Sequence, residues 1–411
     1  MGEPGFAAAD SWECDLGPSR IIFARGALER LGEAVRRAGG RRVLVVTDRG
    51  VRRAGHLDAA ADSLLRAHAE VVVHDAVEES PTTRHVEETA AVARREQVDA
   101  FVALGGGSAM DCAKGANFLV TNGGRMEDYW GTGKATRPML PAVGVPTTAG
   151  TGSEAQSYAL IAQAGSGRKM ACGDRKAMFR AVLLDPRLPA TAPRAVTAAA
   201  GIDAVAHAVE SYVTRVRNPI AQLYALEAWR LLEHSFAGVL AKPADEAALG
   251  GMLLGAFLAG AAIERSMLGA AHACANPLTA RWPIAHGAAV GLMLPHVVRF
   301  NAAQIGDLYE RLLAAAGEPP APGPGPREPT NGAPASGPAA GPAPAERLER
   351  RLVDLRRMAG LPETLEECSI PKHRLPELAE DASRQWTAGF NPRPVATADL
   401  LALYEAAYAP A

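Results

Sequence analysis

Short β-branched runs alternate with helix-length segments between residues 40 and 190, and beyond Asp185-Pro186 the alternation stops. The runs are RVLVVTD (42–48), EVVVHD (70–75), DAFVALGGG (99–107), PAVGVPT (141–147) and RAVLLDP (180–186). Runs that stay apolar from one residue to the next fit strands buried on both faces, hence a parallel sheet covered by helices such as the one expected over 81–97. From 195 to 316 the chain is rich in Ala and Leu at helical spacing, as in IAQLYALEAWRLLEH and ALGGMLLGAFLAGAAI. An α/β half is therefore followed by a mostly helical half. At 411 residues the chain exceeds the size at which one core keeps growing, which independently favours two domains.

Residues 317–345 (GEPPAPGPGPREPTNGAPASGPAAGPAPA) carry too little large apolar side chain to bury, which predicts a disordered, solvent-exposed insert. Helical patterning resumes at ERLERRLVDLRRMAG and closes with TADLLALYEAAY, so the insert interrupts the helical half. Charged residues make up 21% and the formal charge is −2, so no basic surface is expected for nucleic acid. Residues 1–20 contain acidic residues and no apolar core of signal-peptide length, and the GLMLPHVV run at 291–298 is short for a membrane span, so no membrane partner is expected. Five scattered cysteines without a CxxC point to free thiols in a reducing compartment, and the protein is expected to be cytoplasmic.

Asp203 and His207 stand four residues apart in GIDAVAHAVESYV, a spacing that places both on one face of a helix. Alone, such a pair is usually a helix-surface contact. His272 and His286, flanking HACANPLTARWPIAH, supply two further imidazoles and favour a single metal site. One oxygen and three nitrogens suit iron or zinc, whereas calcium or magnesium would take an oxygen-rich shell. His296 is read as a structural histidine at a helix end, and Cys274 as a small buried thiol.

In the first half, GGGSAMDCAKG follows an apolar run and opens a helix. Gly105, Gly106 and Gly107 permit close backbone approach, and the N–H groups at the helix start, with Ser108, suit a phosphate or pyrophosphate. Three glycines after a strand are also compatible with nothing more than a tight turn. Asp48 ends the first run, where it would either accept from a ribose hydroxyl, favouring NAD over NADP, or initiate the turn in TDRG. PTTAGTGSEAQS places Thr147, Thr148 and Thr151 in a loop beyond another strand, where ligands bind in such sheets.

In this order, GGGSAMDCAK, PTTAGTGSE, GIDAVAHAVESYV, HACANPLTARWPIAHG, LMLPHVVRFN and the terminal FNPRPVATADLLALYEAAY resemble the iron-containing (group III) alcohol dehydrogenases. The similarity runs from about Ile21 to the C-terminus and is broken only by the insert. It implies an N-terminal Rossmann-like dinucleotide-binding α/β domain (1–189) and an all-α metal-binding domain (190–411), with the active site between them. It further implies an alcohol to aldehyde or ketone interconversion with NAD(H) and a small-molecule substrate. Iron, or zinc in its place, would sit on Asp203, His207, His272 and His286, in a chain that forms a homodimer. By the same resemblance Asp48 meets the adenosine ribose, Gly105, Gly106, Gly107 and Ser108 cradle the pyrophosphate, and Thr147, Thr148, Thr151 and Lys169 lie toward the nicotinamide. Asp111 and Lys114 belong to the cofactor region.

One position departs from the family pattern. Many members carry a second histidine four residues after the third ligand, near the substrate, and here Asn276 stands there, able to hydrogen-bond but not to titrate. Relatives on the same architecture include glycerol dehydrogenases, dehydroquinate synthases and hydroxyacid-oxoacid transhydrogenases, but HACANPL and PHVVRFN pull toward the iron group.

Overall fold

A computed structural model describes residues 11–318 and 342–409. Positions 319–341 of the expected insert lie outside the described residues. Its last two positions, Pro344 and Ala345, are corrected to the start of a helix, where proline's missing N–H loses no intrahelical partner.

The first half runs β1 (Trp12–Leu16), β2 (Ser19–Phe23), α1 (Leu31–Ala38), β3 (Arg42–Val46), α2 (Arg49–Arg53), α3 (His56–Arg66), β4 (Glu70–His74), α4 (Thr83–Arg95), β5 (Ala100–Gly105) and α5 (Gly107–Asn122). It continues through β6 (Gly131–Thr132), β7 (Ala142–Pro146), β8 (Tyr158–Ala162), β9 (Lys169–Gly173) and β10 (Ala181–Leu184). Helices follow: α6 (Arg194–Val213), α7 (Pro219–Ala241), α8 (Glu246–Ser266), α9 (Ala270–Arg281), α10 (His286–Ala315), α11 (Pro344–Ala359), α12 (Leu375–Ser383) and α13 (Thr397–Tyr408).

The five apolar runs are β3, β4, β5, β7 and β10, and they form one sheet in the order β1-β2-β10-β7-β5-β3-β4. Every neighbouring pair is parallel except the β1–β2 hairpin at one edge. After β4 the chain crosses back past β3 to β5, so strand order reverses between β3 and β5. In open parallel sheets a ligand crevice opens at that switch point, outside the strands' carboxyl ends. The sequence runs did not reveal β1, β2 or the separate β6-β9-β8 sheet, whose β8 and β9 pair antiparallel. Polar residues interrupt β1, and Leu160 of β8 is 41% exposed, so neither strand carries the signature of burial on both faces.

The helical half is organised around α6, whose residues 201–213 are all buried among α7, α8 and α10. Side chains of Trp229, Phe236, Tyr309 and Tyr404 fill its core, and the Trp229 indole donates to the Leu312 carbonyl at 2.8 Å. Helix α8 is long and apolar enough to cross a membrane, but 78% of its most apolar window is buried inside the protein. The GLMLPHVV segment is part of α10 and largely buried.

Candidate metal centre and cofactor cleft

A cleft of about 1000 Å³ opens over the carboxyl ends of β3, β5 and β7 and is closed on its far side by α6 and the start of α10. Asp48, Gly106, Gly107, Ser108, Thr147, Thr148 and Thr151 line the sheet side. Asp203 and His286 face them from the helical side. Gly105 ends β5 beneath the lining, with φ +153, and an added Cβ there would stand 2.8 Å from the Ala109 Cβ.

Two readings of the glycine motif were open, a tight turn and a phosphate cradle, and the geometry is compatible with both. Gly106 caps α5 and Gly107 begins it, so the first backbone N–H groups of a sixteen-residue helix face the cleft. A Cβ on Gly107 would meet Thr151 at 2.7 to 3.0 Å, so this glycine also lets the threonine loop close against the turn. Asp48 likewise serves the turn: its Oδ1 accepts from the Gly50 and Val51 amides at 2.7 and 3.0 Å, capping α2. Its second oxygen lies on the Gly105 side.

Lys114 lies under this loop, fully buried, and not at the cofactor surface. Its Nζ donates to the carbonyls of Ser153, Gln156 and Tyr158 at 2.7 to 2.8 Å, while the Ser153 hydroxyl donates to Asp111 Oδ1 at 2.6 Å. Burial pulls Lys114 down to about 8. The pair therefore ties the turn after Thr151 to α5, one and two helical turns beyond the glycines.

On the opposite wall, three imidazole nitrogens surround one carboxylate oxygen. Asp203 Oδ1 lies 3.5 Å from His207 Nε2, 3.4 Å from His272 Nε2 and 3.8 Å from His286 Nε2. The His207 and His272 rings stack with centroids 4.8 Å apart, and His272 and His286 are 5.5 Å apart and tilted. Asp203, His207 and His272 offer donor atoms within 4.8 Å of one another and are each at most 5% exposed, whereas His286 is half-buried at the cleft floor. Asp203 Oδ1 and His272 Nε2 are buried without a hydrogen-bond partner, an expensive state for polar atoms. Donors about 2.1 Å from a shared tetrahedral ion are about 3.4 Å from one another, so these atoms fit a divalent metal.

The electrostatics of Asp203, His207 and His286 agree with that fit, whereas at His272 a metal would have to displace a proton. Burial raises the Asp203 carboxyl, yet the facing His207, His286 and His272 imidazoles outweigh it and hold it well below the usual range. Desolvation, then the Lys169 ammonium, holds His286 at about 3, and burial lowers His207, so both keep free lone pairs near neutrality. His272 differs: burial lowers it, but the carboxylates of Asp203 and Glu210 prevail and raise it to about 9. Lys169, at the start of β9, thus acts on the histidine cluster and is not among the residues lining the cleft.

Glu210 escaped the sequence reading. It is buried on α6, seven residues after Asp203 and three after His207, so it shares their helix face. Asn276 lies one turn beyond His272 on α9, and its Nδ2 donates to Gln385 Oε1 at 3.2 Å. It does not line the cleft. Cys274 is buried and unpaired.

Residues 18–186 match the family described as iron-containing alcohol dehydrogenase, and residues 197–408 match the Fe-containing alcohol dehydrogenase family, C-terminal. A 1,3-propanediol dehydrogenase of Klebsiella pneumoniae is 30% identical over 96% of this chain and 98% of its own length. An NAD-dependent methanol dehydrogenase of Bacillus methanolicus is 28% identical over 93% of this chain and 96% of its own. A solved structure of a 1,3-propanediol oxidoreductase superposes with a TM-score of 0.87 at 30% identity, covering 97% of this chain and 99% of that one.

Proposed function

The chain belongs to the iron-containing alcohol dehydrogenase family, and on that premise we propose that its cleft interconverts an alcohol and an aldehyde or ketone by hydride exchange with NAD(H), at iron held by Asp203, His207, His272 and His286. The convergence of three Nε2 atoms on Asp203 Oδ1, across the cleft from the start of α5, supports this most strongly. Bound there, the metal would supply Lewis acidity toward the substrate oxygen and the nicotinamide would supply the hydride acceptor, chemistry that side chains lack.

The chain's own residues hold and orient. Asp203 brings the negative charge of the ligand set, and the depressed His207 and His286 bring neutral nitrogens. Gly106, Gly107 and Ser108 offer the pyrophosphate the start of α5, with Gly105 setting the approach of the strand. Thr147, Thr148 and Thr151 continue the wall toward the metal, and Lys169 adds a positive charge beside His286. Asn276 takes no proton at neutral pH and, bonded to Gln385, does not line the cleft, so this reading gives it no proton-transfer role.

The division at 189/190 separates a nucleotide half from a metal half. We extend the reading to a cytoplasmic homo-oligomer without nucleic-acid or membrane partners, supported by five unpaired cysteines and a net charge of −2.

Two measurements test this. Protein reloaded anaerobically with ferrous iron should oxidise NADH in the presence of small aldehydes or hydroxy-ketones, and chelated protein should not; equal rates in both would sink the metal reading. Asp48→Gly should move cofactor preference from NADH toward NADPH, because the carboxylate that would repel a 2′-phosphate is gone. The same change also uncaps α2, which for a glycine costs about a few tenths of a kcal/mol, read as a slightly lower melting temperature. A lower melting temperature with unchanged selectivity would reduce Asp48 to a cap.

A further inference from the structure

We propose that Glu210 is a positioning residue that fixes the tautomer and ring orientation of His272, and through them the metal affinity of the centre. The inference rests on the metal reading above. Glu210 is 3% exposed, and its Oε2 lies 2.5 Å from His272 Nδ1 while its Oε1 accepts from the Ala271 amide at 2.8 Å. A carboxylate only accepts, so the ring proton is held on Nδ1. With Nδ1 committed to Glu210, the nitrogen left for a metal, in place of its proton, is Nε2, the atom that faces Asp203 Oδ1 at 3.4 Å without a hydrogen-bond partner.

The grip is two-handed. One oxygen holds the ring and the other holds the backbone of the preceding residue, so the carboxylate cannot swing without releasing one of them. Both held groups lie in the first turn of α9, whose Ala270 amide is held separately by Asn391 Oδ1 at 3.2 Å. Gly269 leaves the room this needs, since a Cβ there would come within 2.9 Å of Glu210 Oε1. Among the described residues no Lys or Arg hydrogen-bonds this buried carboxylate. The cost of burying this anion is offset by the His272 ring it holds at 2.5 Å and by the cation site beyond that ring.

The test is a titration of the full chain, stripped with chelator, with cobalt(II) alone, following the visible band and competition with a chromophoric chelator. Glu210→Gln should weaken cobalt binding about 10–100-fold and shift the band, since the amide cannot accept from both partners as the carboxylate does. Glu210→Asp keeps the charge but loses reach, and should also weaken binding; wild-type affinity there would mean that charge, not position, matters, and would overturn the proposal. In a His272→Ala background Glu210→Gln should add no further loss. Equal losses in both backgrounds, or a wild-type spectrum and affinity in Glu210→Gln, would also overturn it. A wild type whose cobalt binding ignores Asp203→Ala would instead refute the metal reading itself.

Discussion

Asp203→Ala should cost at least about a hundredfold in turnover, because removal of even an outer-shell partner of a metal ligand costs about 10–100-fold. Asp203 is the hub of the cluster: each of the three Nε2 atoms lies within 3.8 Å of its Oδ1, and among the described residues no other carboxylate joins them. Without it three imidazoles face one another with no anion directly on the ion, Glu210 reaching only the far nitrogen of His272, and the metal should be lost on chelation. Alanine suits the interior of α6, so the fold should survive. The sheet side of the cleft contains no atom of Asp203, so NADH affinity should change little. Metal analysis, NADH fluorescence titration and turnover on one preparation check the three parts separately. Retained metal would remove Asp203 from the shell, and lost NADH binding would mean that the two walls do not act independently.

Much of this centre was legible because its chemistry follows helical spacing. Asp203 and His207 at i and i+4 had to share a face if the segment was a helix, and α6 is one. His272 and His286 could be singled out only by type, since no periodicity links the third residue of α9 to the first residue of α10. Glu210 extends the Asp203 face by one more turn, so its place on the helix was readable; its partner on another helix was not. Lys114 could not be read as an anchor, because its acceptors are backbone carbonyls, which carry no sequence signature. The sheet divided in the same way. The buried strands β3, β5, β7 and β10 announced themselves by their apolar runs, and so did β4, although as an edge strand it is only part-buried; β1 and β8, each with an exposed position, did not.

The contact that brings His286 to the cluster is backbone on backbone, and Gly287→Ala should break it. Gly287 packs so closely on α6 that an added Cβ would lie 1.8 Å from the Ala199 carbonyl oxygen and 2.6 Å from its carbon. Carbon to carbonyl-oxygen contacts settle at about 3.3–3.6 Å, so the start of α10 must withdraw by about 1.5 Å. His286 is the adjacent residue, and its Nε2, already 3.8 Å from Asp203 Oδ1, would move out of reach of an ion shared with Asp203. Overpacking of this kind costs about 1–3 kcal/mol of stability. The loss in turnover should be larger, about a hundredfold, the usual consequence of a displacement near 1 Å at reacting groups. Gly389→Ala is the control, since a Cβ there meets nothing within 4 Å. The expected pattern is a lower melting temperature, weakened metal binding and near-normal NADH affinity in Gly287→Ala, with Gly389→Ala like the wild type. A Gly287→Ala enzyme with wild-type turnover and metal content would show that α10 yields without moving His286, and that close helix contact does not hold the fourth ligand in place.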